Sequence, residues 1–352
     1  MTIRIGFVGC GLIAGFHAFG LSRVVDADIV AAYDIDAERS RAFAAAHGAQ
    51  VATSVDDVVA AVDAVYVTTW TAAHPAAVEQ VAAAGLPVFC EKPLGVDLPT
   101  ARAMLDTVQR AGVVNQVGLV LRSSPAFRWL HHEVRSGEHG EPMSMVFRDD
   151  QYLPTRGMYA STWRGDPALA GAGALLEHSI HDLDLIEWIM GDIVSVNCTT
   201  AHAHGIDGIE DQASVILRTA DGAQAVLSST WHDIDARPSQ RSVEVFCRLR
   251  YLAVEGDWFG PVRWQDADGE PATLEGKELV NAALAHDGIA GAPDADFVAA
   301  VREGRPAHPD FSVAVRAHEL ADAAYRSAAA DGAPMSVARD TVTRSDAPPP
   351  SD

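Results

Sequence analysis

The stretch Ile3-Arg4-Ile5-Gly6-Phe7-Val8-Gly9-Cys10-Gly11-Leu12-Ile13-Ala14 decides how the rest of the chain is read. Ile3–Val8 is an apolar run of the length of a buried strand, and the residues after it read G-x-G-x-x-A. The pattern carries weight because it follows a strand and opens a helix over Leu12–Val25. In such a turn Gly9 permits the tight reversal and Gly11 lets backbone approach a pyrophosphate. Ala14 is small enough for helix and strand to pack closely. Leu12 and Ile13 begin the helix, whose free N–H groups and partial positive charge suit phosphate oxygens. Asp34 closes the second apolar run, Ile29–Tyr33, twenty residues after Ala14. An acid there accepts hydrogen bonds from both ribose hydroxyls of NAD and repels the 2′-phosphate of NADP. Asp34 could instead cap the next helix, a task that suits its neighbour Asp36 better. The cofactor expected is NAD in preference to NADP.

Working outward, the same alternation continues. Ala64–Thr69, Val88–Cys90 and Gln116–Leu121 read as strands, and Ala37–His47, Pro75–Ala84 and Thr100–Arg110 as helices stopped by Gly48, Gly85 and Gly112. The strands are continuous apolar runs, as strands buried on both faces of a parallel sheet must be. Such a sheet places its ligand crevice at the carboxyl ends of the strands. From Ser124 the rhythm changes to a helix (Ala126–Arg135), a strand (Met143–Phe147), a polar loop (Asp149–Pro167) and a long helix (Ala174–Met190). Strands Val194–Thr200, Ala213–Arg218, Ala225–Thr230 and Val243–Arg248 then follow on short turns such as Asp221-Gly222, which predicts antiparallel pairing. Helices near Asp296–Arg302 and Val313–Ala330 close the chain. The fold class is α/β: an N-terminal Rossmann doubly wound parallel sheet over residues 1–123, and a C-terminal α/β domain with a large, mostly antiparallel open sheet over 124–338. Residues 339–352, ending in a Ser/Asp/Pro-rich run, read as a flexible tail.

Composition narrows the function. The formal net charge of -22 over 352 residues repels nucleic-acid phosphates and anionic lipid, so neither is an expected partner. No stretch of eighteen apolar residues suggests a membrane span, and Met1 to Gly9 enters a strand without a charged leader. Cys10, Cys90, Cys198 and Cys247 lie far apart without C-x-x-C pairing, consistent with reduced thiols in the cytoplasm.

Two further segments carry chemistry. Glu91-Lys92-Pro93 follows the buried run Val88–Cys90. A lysine at the carboxyl end of a central strand lies in the crevice, where burial lowers its pKa; the alternative is a surface lysine that starts a loop. Pro93 fixes the local backbone, with a cis bond as one way to do so. The second segment is the helix from Gly171 to Asp184. On one continuous helix, Glu177, His181, Asp184 and Trp188 fall at i, i+4, i+7 and i+11 and share a face, while His178 and Asp182 point elsewhere. Acid and imidazole on an otherwise apolar helix are costly to bury without a purpose. His178, His181, Asp182 and Asp184 are conceivable metal ligands, but no further ligand cluster accompanies them, and no metal is expected.

These features together resemble the Gfo/Idh/MocA oxidoreductase family: the strand–GxGxxA–helix start, Asp34, Glu91-Lys92-Pro93 and the helix bearing His181-x-x-Asp184. The segment Val65–Trp70 with His74 is similar to the inositol dehydrogenase branch, and Phe297–Arg305, Pro309–Phe311 and His318–Ala328 also have the family's look. The resemblance spans nearly the whole chain. It implies cofactor contacts from Thr69, Trp70, His74, Glu91 and Lys92, and substrate contacts from Lys92, Arg122, Trp163, Arg164, Glu177, His181 and Asp184. It also implies a homodimer or homotetramer formed through the C-terminal sheet. Glu177 stands where the family usually has Asp, which shifts the carboxylate by a methylene.

The activity expected is hydride transfer between NAD and a hydroxyl or keto carbon of a sugar, cyclitol or related polyol. His181 serves as general base, Lys92 bonds the same oxygen, and Glu177 orients the imidazole or contacts a neighbouring hydroxyl. Alternatives are a family member acting on a dihydrodiol, an imine or the 3-position of a glycoside, and a non-catalytic NAD-binding sensor, which would need neither Lys92 nor His181. Asp34 generates the first prediction. NAD is bound at least about tenfold more tightly than NADP, which corresponds to ~1.4 kcal/mol of charge repulsion. Titrating both cofactors checks it, and equal or better affinity for NADP would remove Asp34 from the ribose site.

Overall fold

Six short parallel strands build the first sheet: β1 (Ile3–Val8), β2 (Ala27–Tyr33), β3 (Gln50–Val51), β4 (Ala64–Val67), β5 (Val88–Cys90) and β6 (Asn115–Val117). Their order, β3-β2-β1-β4-β5-β6, reverses direction between β1 and β4, and the crevice outside that switch point is where such sheets bind ligands. The computed structural model describes residues 2–157, 159–287 and 292–338. The tail expected over 339–352 lies outside the described residues.

Both faces of this sheet are buried. Val8, Val65, Val67, Val88 and Cys90 belong to one apolar cluster, and Ile5, Phe7, Ala64, Tyr66 and Phe89 to another. That alternation is why the strands read as uninterrupted apolar runs. On the second face Phe7, Tyr66 and Phe89 stack across β1, β4 and β5 with centroid separations of 5.1 and 4.7 Å. Phe297, from the helix Pro293–Glu303 late in the chain, meets Tyr66 and Phe89 edge-on.

The second sheet has nine strands: β7 (Pro142–Tyr152), β8 (Ile193–Ala201), β9 (Gln212–Thr219), β10 (Gln224–His232), β11 (Gln240–Cys247), β12 (Arg250–Glu255), β13 (Val262–Asp266), β14 (Ala272–Leu274) and β15 (Met335–Ser336). Only the central β7–β10 pair is parallel; the other pairs are antiparallel. One face packs on the helices Pro125–Arg135, Ile180–Met190 and Phe311–Ala329. The other leaves Val146, Ile216, Val226 and Phe246 exposed, each between buried neighbours, as period-two alternation in a one-sided sheet requires. No helix among the described residues is long and apolar enough to cross a membrane.

The sequence reading assigned no element to Val55–Ala61, Arg250–Glu255 or Gly276–Asp287, among others, and two elements that it did assign differ in ways that shape the site. β7 continues to Tyr152 through Asp149, Asp150 and Gln151, residues assigned above to a loop on polarity. They hold strand geometry because Arg241 and Arg237 pair with Asp149 and Asp150, and the ladder to β10 runs unbroken to Tyr152. The long helix is not continuous either. Ala174–His178 is a five-residue turn in which Ser179 N donates to Ala174 O at 2.9 Å, and the α-helix proper starts at Ile180. The turn is stabilised from outside: the Glu210 carboxylate accepts from Gly173 N (2.8 Å) and Leu175 N (2.9 Å), and Tyr325 Oη accepts from Leu176 N (3.1 Å). Side chains therefore satisfy amides that a helix start leaves open. A Cβ at position 173 would collide with the Glu210 backbone, so glycine is required there.

A buried charge network fastens the late helix to the first sheet. His17 Nδ1 donates to Asp294 Oδ1 at 2.7 Å and Nε2 to Glu91 Oε1 at 2.8 Å. Burial alone would lower the imidazole pKa, but hydrogen bonds and charge attraction from Asp294 and Glu91 outweigh it and lift the value from 6.5 to about 9. A folded-state pKa above the unfolded one gives stability that is complete below pH about 6.5 and is lost as pH rises through about 9. The stability advantage of the wild type over His17→Gln should thus be largest near pH 6 and shrink steadily towards pH 9.5. Denaturant unfolding across that range checks it; an advantage that grows with pH contradicts the ion network.

Candidate active site

A cleft of about 690 Å³ opens at the carboxyl ends of the first sheet, where Val8, Tyr33, Thr68 and Glu91 mark the ends of four strands. Its far wall comes from the second sheet through Gln151, Trp231 and Arg241. At the first end, Gly9 has φ +95, and a Cβ on it would lie 2.7 Å from the backbone of Thr68 and Thr69, so only glycine makes the turn. A Cβ at Gly11 would meet nothing within 4 Å, leaving open space beside the N-terminus of helix Leu12–Leu21. Gly11 supplies no side-chain cap, so the first helical amides remain available. Asp34 lines the cleft; its Oδ2 accepts from Cys10 N and its Oδ1 from Asp36 N, both at 2.8 Å. A carboxylate has about four acceptor sites, so capacity remains for two hydroxyls. Asp36 is the cap of the following helix, accepting from Glu38 N at 2.9 Å and Arg39 N at 3.4 Å. Open space at Gly11, free amides and an acid at the strand end fit a dinucleotide.

Leu12, Ile13, Thr69, Trp70 and Glu91 also line this part. The Glu91 carboxylate is already engaged by His17 and by Lys92 N at 3.1 Å. Two expected contacts lie elsewhere. Ala14 is fully buried against the sheet, where its small size serves packing. His74 is buried outside the wall, its Nδ1 facing Pro93 O (3.1 Å) and its Nε2 facing Thr69 O (3.2 Å). It fixes the two loops that form the wall rather than touching the cleft.

Lys92 and His181 meet in the same cleft. Lys92 Nζ donates to Glu177 O at 2.6 Å, and the bond to Pro93 is cis. Burial lowers the lysine pKa. His181 is buried, and its Nδ1 has no hydrogen-bond partner among the described residues. Burial holds its pKa well below 6.5, and the nearby charges of Lys92 and Arg241 reinforce the effect. The imidazole is therefore neutral at neutral pH, rather than titrating there as an exposed histidine would.

Glu177 does not reach His181. Its Oε1 accepts from Thr71 Oγ1 and its Oε2 from Arg164 Nε, both at 2.8 Å. The carboxylate instead holds Arg164 against the wall, where the guanidinium stacks on Trp163 at 4.5 Å. Arg122 and Asp184 are absent from the cleft: they form a buried two-pronged ion pair at 2.8 and 2.7 Å. The five-residue turn explains both outcomes, because it shifts the phase between residue 177 and the helix after it, so the single stripe expected of a continuous helix does not form.

The same shift brings in His178, which was read as pointing away. Its Nε2 lies 3.1 Å from Asp149 Oδ1 and 3.3 Å from Arg241 Nη2. Arg241 also donates to Asp182 (2.6 Å) and Asp257 (2.8 Å). Burial drives the Asp182 carboxyl well above its usual range. Asp149, equally buried, is held well below it by Arg241 and His178. Asp149, Gln151 and Arg241 carried a legible signal: each falls at an inward-facing position, in phase with Met145 and Phe147 or with Val243 and Val245.

With this geometry in place, relatives can be compared. Residues 3–119 match the family described as "Oxidoreductase family, NAD-binding Rossmann fold", and residues 127–252 match the "GFO/IDH/MocA C-terminal domain". An inositol 2-dehydrogenase of Rhizobium meliloti (strain 1021) is 31% identical over 341 residues, 94% of this chain and 98% of that protein. A 1,5-anhydro-D-fructose reductase of Ensifer adhaerens is 32% identical over 63% of this chain and 67% of its own length. The solved structure of levoglucosan dehydrogenase in complex with NADH superposes with TM-score 0.85 over 97% of this chain and 100% of that one, at 18% identity.

The depressed pKa of His181 yields a sign. A base that stays neutral below pH 6.5 keeps the free protein competent on the acid side. The acidic limb of kcat/KM for alcohol oxidation is expected below pH 6.5; a limb at pH 7 or above would place the titrating base elsewhere.

Proposed function

The chain belongs to the Gfo/Idh/MocA oxidoreductase family, and we propose that its cleft oxidises a secondary-alcohol carbon of a sugar, cyclitol or related polyol, or reduces the corresponding ketone. The observation that carries this reading is the meeting of Lys92 with a neutral His181, whose Nδ1 has no partner among the described residues, in the cleft that also holds the glycine turn and Asp34. When bound, NAD supplies the two-electron acceptor that the side chains lack. Gly9, Gly11, the amides of Leu12 and Ile13, and Asp34 would hold it.

His181 accepts the hydroxyl proton on a ring nitrogen as general base. Its low basicity alone makes that transfer uphill. Lys92 offsets this by donating to the same oxygen and stabilising the negative charge that develops there. Burial strengthens that interaction, since few waters compete with it. Arg164, held by Glu177 and stacked on Trp163, offers further N–H donors to neighbouring hydroxyls. A pocket so rich in donors and acceptors suits a molecule with several hydroxyls, and an apolar alcohol would leave these groups unpaired. Dihydrodiols, imines and the 3-position of glycosides remain alternative substrates within the family. An NAD-binding sensor is disfavoured, because it would have no use for Lys92 beside an unpartnered imidazole.

The proposed division of labour gives residues 1–123 the cofactor, and 124–338 the substrate and self-association. The exposed face of the second sheet, with Val146, Ile216, Val226 and Phe246, supports a homodimer or homotetramer through it. The four cysteines are unpaired and buried, which suits a reducing compartment, and the cytoplasm is the proposed location.

Replacing His181 by Ala should reduce turnover about 10²–10⁴-fold, and Lys92→Met should also impair turnover more than NAD binding. Glu177→Gln should cost less and act mainly on KM, because it loosens Arg164 and leaves the proton acceptor in place. NADH formation on a panel of cyclitols, hexoses and aliphatic alcohols, with NAD binding measured in parallel, checks these expectations. Near-normal turnover in His181→Ala, or a hydrophobic alcohol preferred over every polyol, contradicts the reading.

A further inference from the structure

The far wall of the cleft holds a donor for which the described residues provide no acceptor. Trp231 is 2% exposed and lines the cleft, and its Nε1–H makes no hydrogen bond to any described residue. An indole N–H can only donate, and a buried donor left unmade is costly. The ring itself is firmly seated: Leu153, Ala170, Ala174 and Ile209 form a small apolar cluster with it, and Trp163 packs against that cluster. Its backbone is tied too, with Trp231 N donating to Asp211 O at 2.7 Å.

Strand register sets its distance from the reacting centre. In the parallel β7–β10 pair, Asp149 lies opposite Ser229 and Gln151 opposite Trp231. The first pair holds the catalytic helix: Ser179 Oγ donates to Asp149 Oδ2 at 2.9 Å and lies 2.7 Å from Ser229 Oγ, two residues before His181. The second pair lies two residues further along on the same face, roughly 7 Å at about 3.3 Å per residue. Tyr159, stacked on Tyr152 at 5.5 Å, lines the cleft as well.

We propose that Trp231, with Gln151 and Tyr159, forms a recognition subsite for the substrate oxygen that lies across the ring from the oxidised carbon. The inference rests on the sugar or cyclitol reading above and narrows it to six-membered rings with an oxygen at that position. The indole N–H donates to that oxygen. The Gln151 amide supplies both a donor and an acceptor beside it, so a hydroxyl there can be met in both its roles.

The test uses myo-inositol, oxidised at C2, against 5-deoxy-myo-inositol, and D-glucose, oxidised at C1, against 4-deoxy-D-glucose. With the wild type, each deoxy analogue should show about 10-fold lower kcat/KM, mainly through KM. Trp231→Phe keeps the ring and removes the donor; it should lose about 10-fold on the parent sugar and almost nothing further on the deoxy analogue. Equal losses on parent and analogue would mean that Trp231 serves packing, and no loss on either would mean that its N–H meets only water; both overturn the subsite. Should Trp231→Phe fold poorly, calorimetric binding of each pair to the NADH-loaded wild type decides, with equal affinities counting against the proposal. Polyol turnover without discrimination sinks the subsite alone. Failure of the wild type to oxidise any polyol, while it oxidises another alcohol, sinks the sugar reading and the subsite with it.

Discussion

The hydrogen bond from Lys92 Nζ to the Glu177 carbonyl, 2.6 Å long, joins the two halves of the chain at the point where chemistry is possible. Lys92 reaches it from the end of β5, and Glu177 from the irregular turn before the helix that carries His181. Neither half alone encloses the cleft. The surrounding structure holds the two ends of this contact in place: His17 braces Glu91 and so the backbone of Lys92, while Glu210 and Tyr325 brace the turn that presents Glu177. A long, flexible ammonium is thereby held in one position before substrate arrives, which is the preorganisation that a charge-stabilising group requires.

Beneath the site, the buried Asp149, Asp182 and Arg241 form a cluster with the partly buried His178 and Asp257. Burying several charges together costs more than packing apolar residues of the same size, unless geometry and hydrogen bonds compensate. Here Arg241 contacts three carboxyl groups, and burial pushes the pKa of one of them, Asp182, upward. The cluster pins Ser179 and His178 to the second sheet, and with them the start of the His181 helix. Burial holds the His181 pKa down, and the positive charges of Lys92 and Arg241 reinforce it. The cluster thus fixes the proposed base, His181, whose buried Nδ1 meets no described residue.

Much of this was legible in the chain. The first sheet declared itself through apolar runs on both faces and a glycine after three of its helices, and the structure places the glycine turn and Asp34 in the cleft. Lys92 and His181 were recoverable because charged residues beside buried runs are rare without a use. What failed to show was phase. Nothing in Ala174–His178 announces a five-residue turn, since its cause is Glu210, an acid 35 residues beyond Leu175 that binds both Leu175 and Gly173. A helix drawn straight through that point misplaces Asp184 and His178 together. Asp149 and Gln151 were hidden by their polarity, although their parity with Met145 and Phe147 pointed inward. Trp231 drew no reading from the sequence, because the lack of an acceptor for its N–H among the described residues exists only in three dimensions.

The central claim is that one cleft brings a carbinol carbon, Lys92 and His181 to a bound nicotinamide. It is tested most directly by isotope transfer. Myo-inositol deuterated at C2 and D-glucose deuterated at C1 would each be mixed with the protein and NAD, and the reduced cofactor analysed by mass spectrometry. The account predicts that the deuterium appears in the reduced nicotinamide in a one-to-one ratio with the ketone or lactone formed, and that His181→Ala slows this transfer without changing where the label goes. Reduced cofactor without label, or tight NAD binding with no transfer from either compound, would contradict it.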